Sequence, residues 1–337
     1  MKKNNKNESS EPILVGGPGR SGKTLFVNTI NNKNNNNFIC ILLDAHLNKY
    51  LNKKKLKEIN EQKLFLKNYF ETTRFVNNKN TIRKKILDSL NLNYSSFEKH
   101  ITYCRNSVSQ LKLILSSFDV LAKINNKKNW LVLDIHSEFF FKYYKCVVPG
   151  IKFIYMFRNP LEVVCAHIYW RDYPKRRSNH KAHFLYATFL WILSYKMYSI
   201  LKEKYHDDVM IFHLNRNSQN YKKLHNIDLE NIKFKNNLYY NFNENKKLFY
   251  TPKNKWEPLL TEKEIKFILK VTNYKSILES KRHIKFNKYF LIHIFLEFLI
   301  LIGKINSFIP LFIIRYIFFP TNIIKDLAGK ILNEKKN

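Results

Sequence analysis

A glycine-rich segment near the start of the chain constrains the fold more than any other feature of the sequence. Residues 17–24 match the spacing G-x-x-x-x-G-K-[ST], and the apolar run Ile13–Val15 precedes them. Glycines in such a turn let successive backbone N–H groups point into one concavity, and a helix that begins near Lys23 adds its positive end. Lys23 supplies a charge for the phosphate and Thr24 a hydroxyl ligand. The segment therefore predicts a strand, a phosphate-binding loop and a helix.

The length and composition allow a folded α/β enzyme. The chain has 337 residues, of which 45% are apolar, which is enough for one large domain or two small ones. With 59 Lys and Arg against 26 Asp and Glu, the net charge is +33. Such a surplus favours phosphate, nucleic acid, anionic lipid or sulfated polymer as partners. Much of it is Lys scattered among Asn, as in 31–37, which indicates a compositional bias, so we expect no specific nucleic acid partner.

Cysteine usage and the N-terminus both favour a cytoplasmic protein. The four cysteines lie far apart with no C-x-x-C spacing. This argues against a zinc ribbon and against a dense disulfide framework, and it favours a reducing compartment. Residues 1–11 are charged and lack an apolar core, so we expect a disordered lead-in rather than a signal peptide.

Apolar runs of strand length alternate with helical patterns along the chain. Four such runs follow the first strand, at 38–43, 130–136, 152–157 and 209–212. Apolar residues three and four apart predict a large helical insert at about 45–128 and a helix at about 184–204. This alternation favours a three-layer α/β domain with a central parallel sheet, whose ligands lie beyond the carboxyl ends of the strands. The predicted domain spans residues 12–285.

The C-terminal region, residues 286–337, is strongly apolar and is predicted to be helical. Within 289–319, the side chains of His293, Glu297 and Lys304 would fall on one side of a helix and leave a broad apolar face. Charged residues interrupt the stretch before it reaches the roughly 20 residues needed to span a bilayer. Two interpretations stay open, a helix pair buried in the core or an anchor at the inner face of an anionic membrane.

A second motif lies in residues 152–167. There an apolar run ends in Arg158, a turn follows at Asn159-Pro160, and a helical pattern begins. An arginine at the carboxyl end of a sheet strand can make a bidentate contact to a phosphate held above the sheet. Alone, such an arginine more often pairs with a carboxylate. Its occurrence together with a phosphate loop favours the phosphate.

Together the two motifs resemble those of the sulfotransferase superfamily, over roughly residues 13–217. Its members share a P-loop-like fold and use 3′-phosphoadenosine 5′-phosphosulfate (PAPS) as the sulfonate donor. Their first motif, P-[KR]-S-G-[TS]-T, binds the 5′-phosphosulfate, and its place is taken here by Gly19, Arg20, Ser21, Gly22, Lys23 and Thr24. Their second motif, R-[ND]-P-x-[DE]-x-x-x-S, binds the 3′-phosphate and is matched by Arg158, Asn159, Pro160 and Glu162. Ala166 stands in the place of its serine.

The resemblance implies transfer of a sulfonate group from PAPS to a hydroxyl or amine of a glycan, lipid or small-molecule acceptor, with no metal. Arg20 would take the basic role toward the bridging oxygen and the sulfonate, while Lys23 and the loop N–H groups neutralise the developing charge. The acceptor would lie against the helical insert and the cationic, aromatic segment 170–177.

Two residues near the end of the predicted strand at 130–136 are candidates for the general base, which must accept a proton from the acceptor. His136 stands where several sulfotransferases carry a catalytic histidine, and imidazole titrates near neutral pH. Glu138 is the alternative, because other branches of the family use a carboxylate. Asp134 stands in the place of a family lysine, and the acid that the family carries near the strand at 209–215 is missing.

Two other functions compete with sulfonate transfer. Because Lys23 completes a literal Walker A sequence, the loop could bind Mg-ATP in a kinase or NTPase, with magnesium on Thr24 and either Asp134 or Asp44. The kinase hypothesis explains the first motif and leaves the second unexplained. An inactive, membrane-tethered relative is the third hypothesis, favoured by Ala166 and the missing acid.

Overall fold

The structure is a computed structural model that describes residues 11–31, 37–51, 53, 55–75, 83–169, 180–215, 238–241 and 260–273. Within these ranges the strands, in chain order, are β1 (Ile13–Gly16), β2 (Phe38–Ile41), β3 (Arg74–Phe75), β4 (Arg83–Lys84), β5 (Asn129–Leu133), β6 (Lys152–Arg158), β7 (Val209–Asn215) and β8 (Leu238–Asn241). The helices are α1 (Lys23–Asn31), α2 (Ile59–Glu71), α3 (Tyr94–Glu98), α4 (Gln110–Ile124), α5 (Phe141–Val147), α6 (Pro160–Tyr169), α7 (His180–Lys204) and α8 (Glu262–Thr272).

The central sheet is parallel, as the alternation of strands and helices predicts. Five strands run in the order β2-β5-β1-β6-β7, and β8 pairs in parallel with β7 at one edge. Val15 in β1 aligns with Leu133 in β5 and with Ile154 in β6, so the strand that leads into the glycine loop lies between the other two. All four residues of β1 and of β2 are buried, which is typical of parallel strands covered on both faces.

One face of the sheet is covered by α1. The odd-numbered residues of β1 join Phe26, Val27 and Ile30 of the helix in one buried apolar cluster. The ring of Phe26 meets that of Phe212 of β7 edge to face, with centroids 4.8 Å apart. Packing of the helix immediately after the loop against the sheet fixes the position of the loop at the carboxyl ends of the strands.

The opposite face is covered by α4, by α5 and by the part of α7 after residue 193. Trp130 of β5 packs against Phe118 of α4 with ring centroids 5.7 Å apart, and Tyr155 of β6 stacks on Tyr198 of α7 at 4.7 Å. Trp130 is fully buried, and burial of such a side chain contributes about 2–3 kcal/mol. Helices on both faces of a parallel sheet make this part of the chain a three-layer α/β structure.

The segment predicted as a helical insert, about 45–128, differs from that expectation in two ways. It contains the short antiparallel pair β3–β4 and an isolated bridge between Leu56 and Val108. Its last helix, α4, lies against β2 and β5 and so belongs to the layer that covers the sheet. The apolar repeat of α4 is compatible with both arrangements, because a helix that covers a sheet needs the same amphipathic spacing as one in an insert.

The chain divides into two compact units. The first comprises Met1–Asn159 and Ser194–Lys255 and holds the sheet. The second comprises Pro160–Leu193 and Trp256–Asn337, and its described core joins α6, the start of α7 and α8 through residues that include Val164, Ala187 and Ile268. Among the described helices, none combines the length and apolarity needed to cross a membrane. The predicted apolar segment 289–319, the cationic segment 170–177 and residues 1–10 of the predicted lead-in lie outside the described residues.

Candidate active site

Two glycines shape the loop, because their backbone conformations disfavour any side chain. Gly17 has φ +113° and Gly22 φ +96°, in the left-handed region that residues with a Cβ rarely adopt. A Cβ on Gly17 would lie 2.8 Å from the carbonyl oxygen of Met156 in β6. Since that oxygen is backbone, it cannot move aside cheaply. The loop therefore lies tightly against the neighbouring strand, and α1 begins at Lys23 as the sequence predicts.

Two candidate catalytic residues have strained backbones. Arg20 has φ +66° and His136 φ +63°, and a left-handed conformation costs an L-residue roughly 1–2 kcal/mol. The other described non-glycine residues with positive φ are His46, Asn91, Asn126 and Asn273. Asparagine and histidine tolerate this region, whereas a long side chain such as that of arginine rarely adopts it. Strain of this kind concentrates at functional sites, so it supports a role for Arg20.

Lys23 lies inside the loop. Its Nζ donates hydrogen bonds to the carbonyl oxygens of Gly17 at 2.7 Å and Pro18 at 2.6 Å, and to Ser21 Oγ at 3.3 Å. Only 4% of Lys23 is exposed, and burial lowers its pKa to about 8. Ser21 is also buried, while Gly19, Arg20 and Thr24 are half-buried. The loop thus holds a buried ammonium group on its own carbonyl oxygens.

Arg158 joins the second motif to the loop. It ends β6, and its Nη1 donates a hydrogen bond of 2.8 Å to the carbonyl oxygen of Arg20, although 138 residues separate the two in sequence. The sequence predicts that these motifs lie together, and the structure brings them into contact. Ala166 and Glu162 lie on α6, which begins at Pro160 in the second compact unit.

Glu138 lies beneath the loop and is fully buried. Its Oε2 accepts a 2.9 Å hydrogen bond from the N–H of Gly17, and its Oε1 accepts a 2.5 Å hydrogen bond from Ser194 Oγ. Nδ1 of His136 lies 3.7 Å from the same Oε1. Burial alone would raise the pKa of the Glu138 carboxyl, but His136, the Ser194 hydroxyl and the charge of Lys23 outweigh burial and lower it. Glu138 is therefore an ionised anchor for the start of the loop.

Ser194 is the site residue that sequence reasoning missed. It lies on α7 in an apolar stretch, and it is fully buried. A hydroxyl at a buried helix position usually bonds the carbonyl oxygen four residues earlier, as Thr188 does with Phe184. The one available signal was a serine on the buried side of a predicted helix, and nothing in the sequence identified Glu138 as its partner.

The two carboxylates proposed for magnesium in the kinase hypothesis support the backbone instead. Oδ1 of Asp134 accepts from the N–H of Leu47 at 3.0 Å and Oδ2 accepts from the hydroxyl of Tyr144 at 2.9 Å. Complete burial and the charge of Asp44 raise the pKa of Asp134 well above its ordinary value. A carboxyl whose ionisation is disfavoured by burial and whose oxygens are both occupied is a poor ligand for Mg²⁺.

Asp44 follows β2 and holds two backbone segments together. Its Oδ1 accepts from the N–H groups of Ile135 at 3.2 Å and His46 at 3.3 Å, and its Oδ2 lies 3.1 Å from His46 Nδ1. Burial opposes ionisation of Asp44, but the charge and hydrogen bonds of His46 and the N–H of Ile135 prevail and lower its pKa to about 2. In the Asp44–Asp134 pair, Asp44 therefore ionises more readily than Asp134.

The end of β7 carries a histidine in place of the acid that the sulfotransferase resemblance leads one to expect. The His213 ring packs on Phe157 of β6 with centroids 4.7 Å apart. Burial lowers the pKa of His213 to about 4, so the ring is neutral at physiological pH. This edge of the site supplies no fixed charge from His213.

Comparison of the chain with known protein families finds no matching family, and comparison with curated protein sequences finds no match. Function is therefore inferred from the chemistry of the site itself.

Proposed function

We propose that this chain is a PAPS-dependent sulfotransferase. The observation that carries the proposal is the hydrogen bond from Arg158 to the carbonyl of Arg20, because it unites a phosphate loop and a strand-terminal arginine in one cationic site. Such a site suits a nucleotide with phosphate groups at two positions, one on the loop and one on Arg158.

The position of the loop in the sheet supports the same proposal. β1 lies between β5 and β6, so the chain leaves β1 toward β2 on one side and later returns past β1 to β6 on the other. Ligands of open parallel sheets bind beyond the carboxyl ends of the strands at such a reversal of strand order. The glycine loop follows β1 directly and therefore stands at this point.

The proposed reaction is an in-line transfer of a sulfonate group. An oxygen or nitrogen of the acceptor forms a bond to sulfur while the bond from sulfur to the bridging phosphate oxygen breaks, and the electron pair stays on that oxygen. Arg20, Lys23 and the loop N–H groups neutralise this charge without a metal. His136 accepts the acceptor proton, and Glu138, 3.7 Å from its Nδ1, stabilises the imidazolium formed. Glu138 itself, with its oxygens occupied, acts as the anchor rather than as the base.

A Mg-ATP-dependent kinase or NTPase is the second candidate, because Asp134 directly follows β5, the strand beside β1. The hydrogen bonds to both oxygens of Asp134 and its raised pKa argue against that role. The kinase hypothesis also leaves Arg158 without a function. Sulfonate transfer gives Arg158 a function and leaves Asp134 as a structural group that holds Leu47 and Tyr144.

Calorimetric titration with 3′-phosphoadenosine 5′-phosphate in EDTA, and separately with ATP and Mg²⁺, tests the proposal. We expect the bisphosphate to bind without metal. Binding of ATP only with Mg²⁺, and none of the bisphosphate, would refute the proposal in favour of a kinase. A chain that binds the bisphosphate but transfers no sulfonate to any glycan, lipid or small-molecule acceptor is the inactive relative. If the bisphosphate binds only weakly, Ala166→Ser is the first variant to assay for improved affinity.

We also propose a cytoplasmic location with peripheral binding to the inner face of a membrane. The net charge of +33 and the apolar stretch 289–319 support it. The full chain should sediment with vesicles that contain anionic lipid and stay in solution with purely zwitterionic vesicles at the same salt concentration. Equal sedimentation in both, or in neither, contradicts the proposal.

A further inference from the structure

Three buried side chains from three elements form a hydrogen-bonded path that ends 3.7 Å from Nδ1 of the candidate base, His136. Tyr155 lies on β6, Ser194 on α7, and Glu138 in the turn after β5. The hydroxyl of Tyr155 lies 3.0 Å from Ser194 Oγ, and Ser194 Oγ lies 2.5 Å from Glu138 Oε1. All three residues are fully buried. Hydrogen bonds removed from water in this way are costly to break, so the path is a fixed feature.

The path has one direction for its protons. Ser194 has a single O–H, which it donates to Oε1 of Glu138, and the N–H of Gly17 donates to Oε2, so both oxygens of the carboxylate act as acceptors. The oxygen of Ser194 is then left to accept, and the hydroxyl of Tyr155 donates to it. Two successive donors thus point toward the carboxylate.

The direction of these hydrogen bonds affects which nitrogen of the His136 ring carries a proton. The ring is 5% exposed. Its Nδ1 lies 3.7 Å from Glu138 Oε1, the oxygen to which Ser194 donates. A carboxylate that can only accept favours the imidazole tautomer whose proton faces it, which here is the Nδ1–H form. The other ring nitrogen, Nε2, then carries the lone pair. A general base needs that lone pair.

We propose that Tyr155 and Ser194 are positioning residues that act through Glu138 to fix His136 as the Nδ1–H tautomer, with Nε2 available to accept a proton. The same carboxylate holds the N–H of Gly17 through Oε2, so the base and the phosphate loop share one anchor. The tautomer and its cause stand without reference to the reaction, and only the use of Nε2 as a base rests on the proposed function.

Long-range ¹H–¹⁵N correlation spectra of the ¹⁵N-labelled full chain test the proposal, because the two ring nitrogens of a neutral imidazole differ strongly in chemical shift. The His136 signals are assigned by their loss in His136→Gln. In the wild-type chain Nδ1 should give a pyrrole-type signal and Nε2 a pyridine-type signal. A wild-type ring with its proton on Nε2 overturns the proposal, and this measurement needs no other variant.

Three variants test the path itself. In Glu138→Gln the amide nitrogen faces Nδ1 as a donor, while the amide oxygen serves Gly17, so the Nδ1 signal should shift to the pyridine type. Ser194→Ala should give a mixture of the two tautomers. The matched control is Ser117→Ala, which removes another buried serine hydroxyl, one that bonds only the carbonyl of Ile114 in its own helix; it should leave the His136 signals unchanged.

An unchanged tautomer in both Glu138→Gln and Ser194→Ala overturns the proposal. An equal change in the control does the same, because it would show a general response to the loss of any buried hydroxyl. Failure to bind 3′-phosphoadenosine 5′-phosphate with the Nδ1–H tautomer intact would instead count against the sulfotransferase proposal alone. The two results are therefore distinguishable.

Discussion

Lys23 should make anion binding at the glycine loop depend on pH near neutrality. Burial lowers the pKa of Lys23 to about 8 in the free protein, where its Nζ is held by uncharged carbonyl oxygens. A bound phosphate replaces these with negative charge and raises the pKa toward the ordinary value of 10.5. Below pH 8 the ammonium is present with or without ligand, so affinity is constant. Above pH 8 binding must take up a proton, and affinity falls as pH rises.

The size of this effect follows from the pKa difference. One pH unit above the pKa of the free protein, affinity should be about tenfold weaker, or about 1.4 kcal/mol. The free protein should respond in the opposite sense. Its unfolded state holds the Lys23 proton up to pH 10.5, so between pH 8 and 9.5 the unfolded state binds more protons, and deprotonation of Lys23 should stabilise the folded chain as pH rises.

Calorimetric titration with 3′-phosphoadenosine 5′-phosphate from pH 6.5 to 9.5, in pairs of buffers with different ionisation enthalpies, measures both the affinity and the proton uptake. Lys23→Arg is the matched control, because guanidinium stays charged throughout this range; its affinity should not change between pH 8 and 9.5. A wild-type affinity that is constant to pH 9.5, or one that falls equally in Lys23→Arg, would refute the reasoning.

Three further predictions concern the loop and its surroundings. Arg158→Ala should weaken binding of 3′-phosphoadenosine 5′-phosphate by about 10- to 100-fold, as expected for hydrogen bonds to a charged group, while Arg105→Ala, an exposed arginine elsewhere, should not; equal losses in titration refute this. Gly17→Ala should lower the free energy of unfolding by about 2–4 kcal/mol in urea, because it combines positive φ with a backbone clash, whereas Gly150→Ala, with ordinary contacts, should change it by less than about 1 kcal/mol. Asp134→Asn should leave bisphosphate affinity unchanged and should reduce the loss of stability as pH rises above the ordinary Asp pKa of 3.8, because the raised pKa of Asp134 means that the folded chain loses stability as that carboxyl is forced to ionise. Urea unfolding at a series of pH values measures this, and an unchanged pH dependence would contradict it.

The strands of the sheet were predictable because each is a short, continuous apolar run. A parallel strand covered on both faces needs such a run, and β2, β5, β6 and β7 all coincide with one. β8 and α8 were missed. β8, with the sequence Leu-Tyr-Tyr-Asn, is too short to show a pattern. α8 was missed although Thr261 and Glu264 form a capping box at the start of an amphipathic repeat. The pair β3–β4 was missed for a related reason, because strands of two residues carry no periodicity.

The candidate site was predictable where a motif is local and not where it depends on tertiary contacts. The conformation of the loop follows from its glycines, and the position of Arg158 follows from its place at a strand end. The contacts of Glu138 with Gly17 and Ser194 join residues 121 and 56 positions apart, and no periodicity encodes such pairs. Asp134 likewise appeared to be a free carboxylate in the sequence, whereas Tyr144 and the backbone occupy it in the structure.

The left-handed backbone of Arg20 has a consequence for anyone who would engineer this protein. Glycine at this position would relieve the φ of +66° and should stabilise the folded chain by about 1 kcal/mol. A search for thermostable variants would therefore favour Arg20→Gly, and that same change would delete the cation that the proposed chemistry uses at the bridging oxygen. Selection for heat resistance should consequently favour glycine at position 20, and selection for turnover should favour arginine.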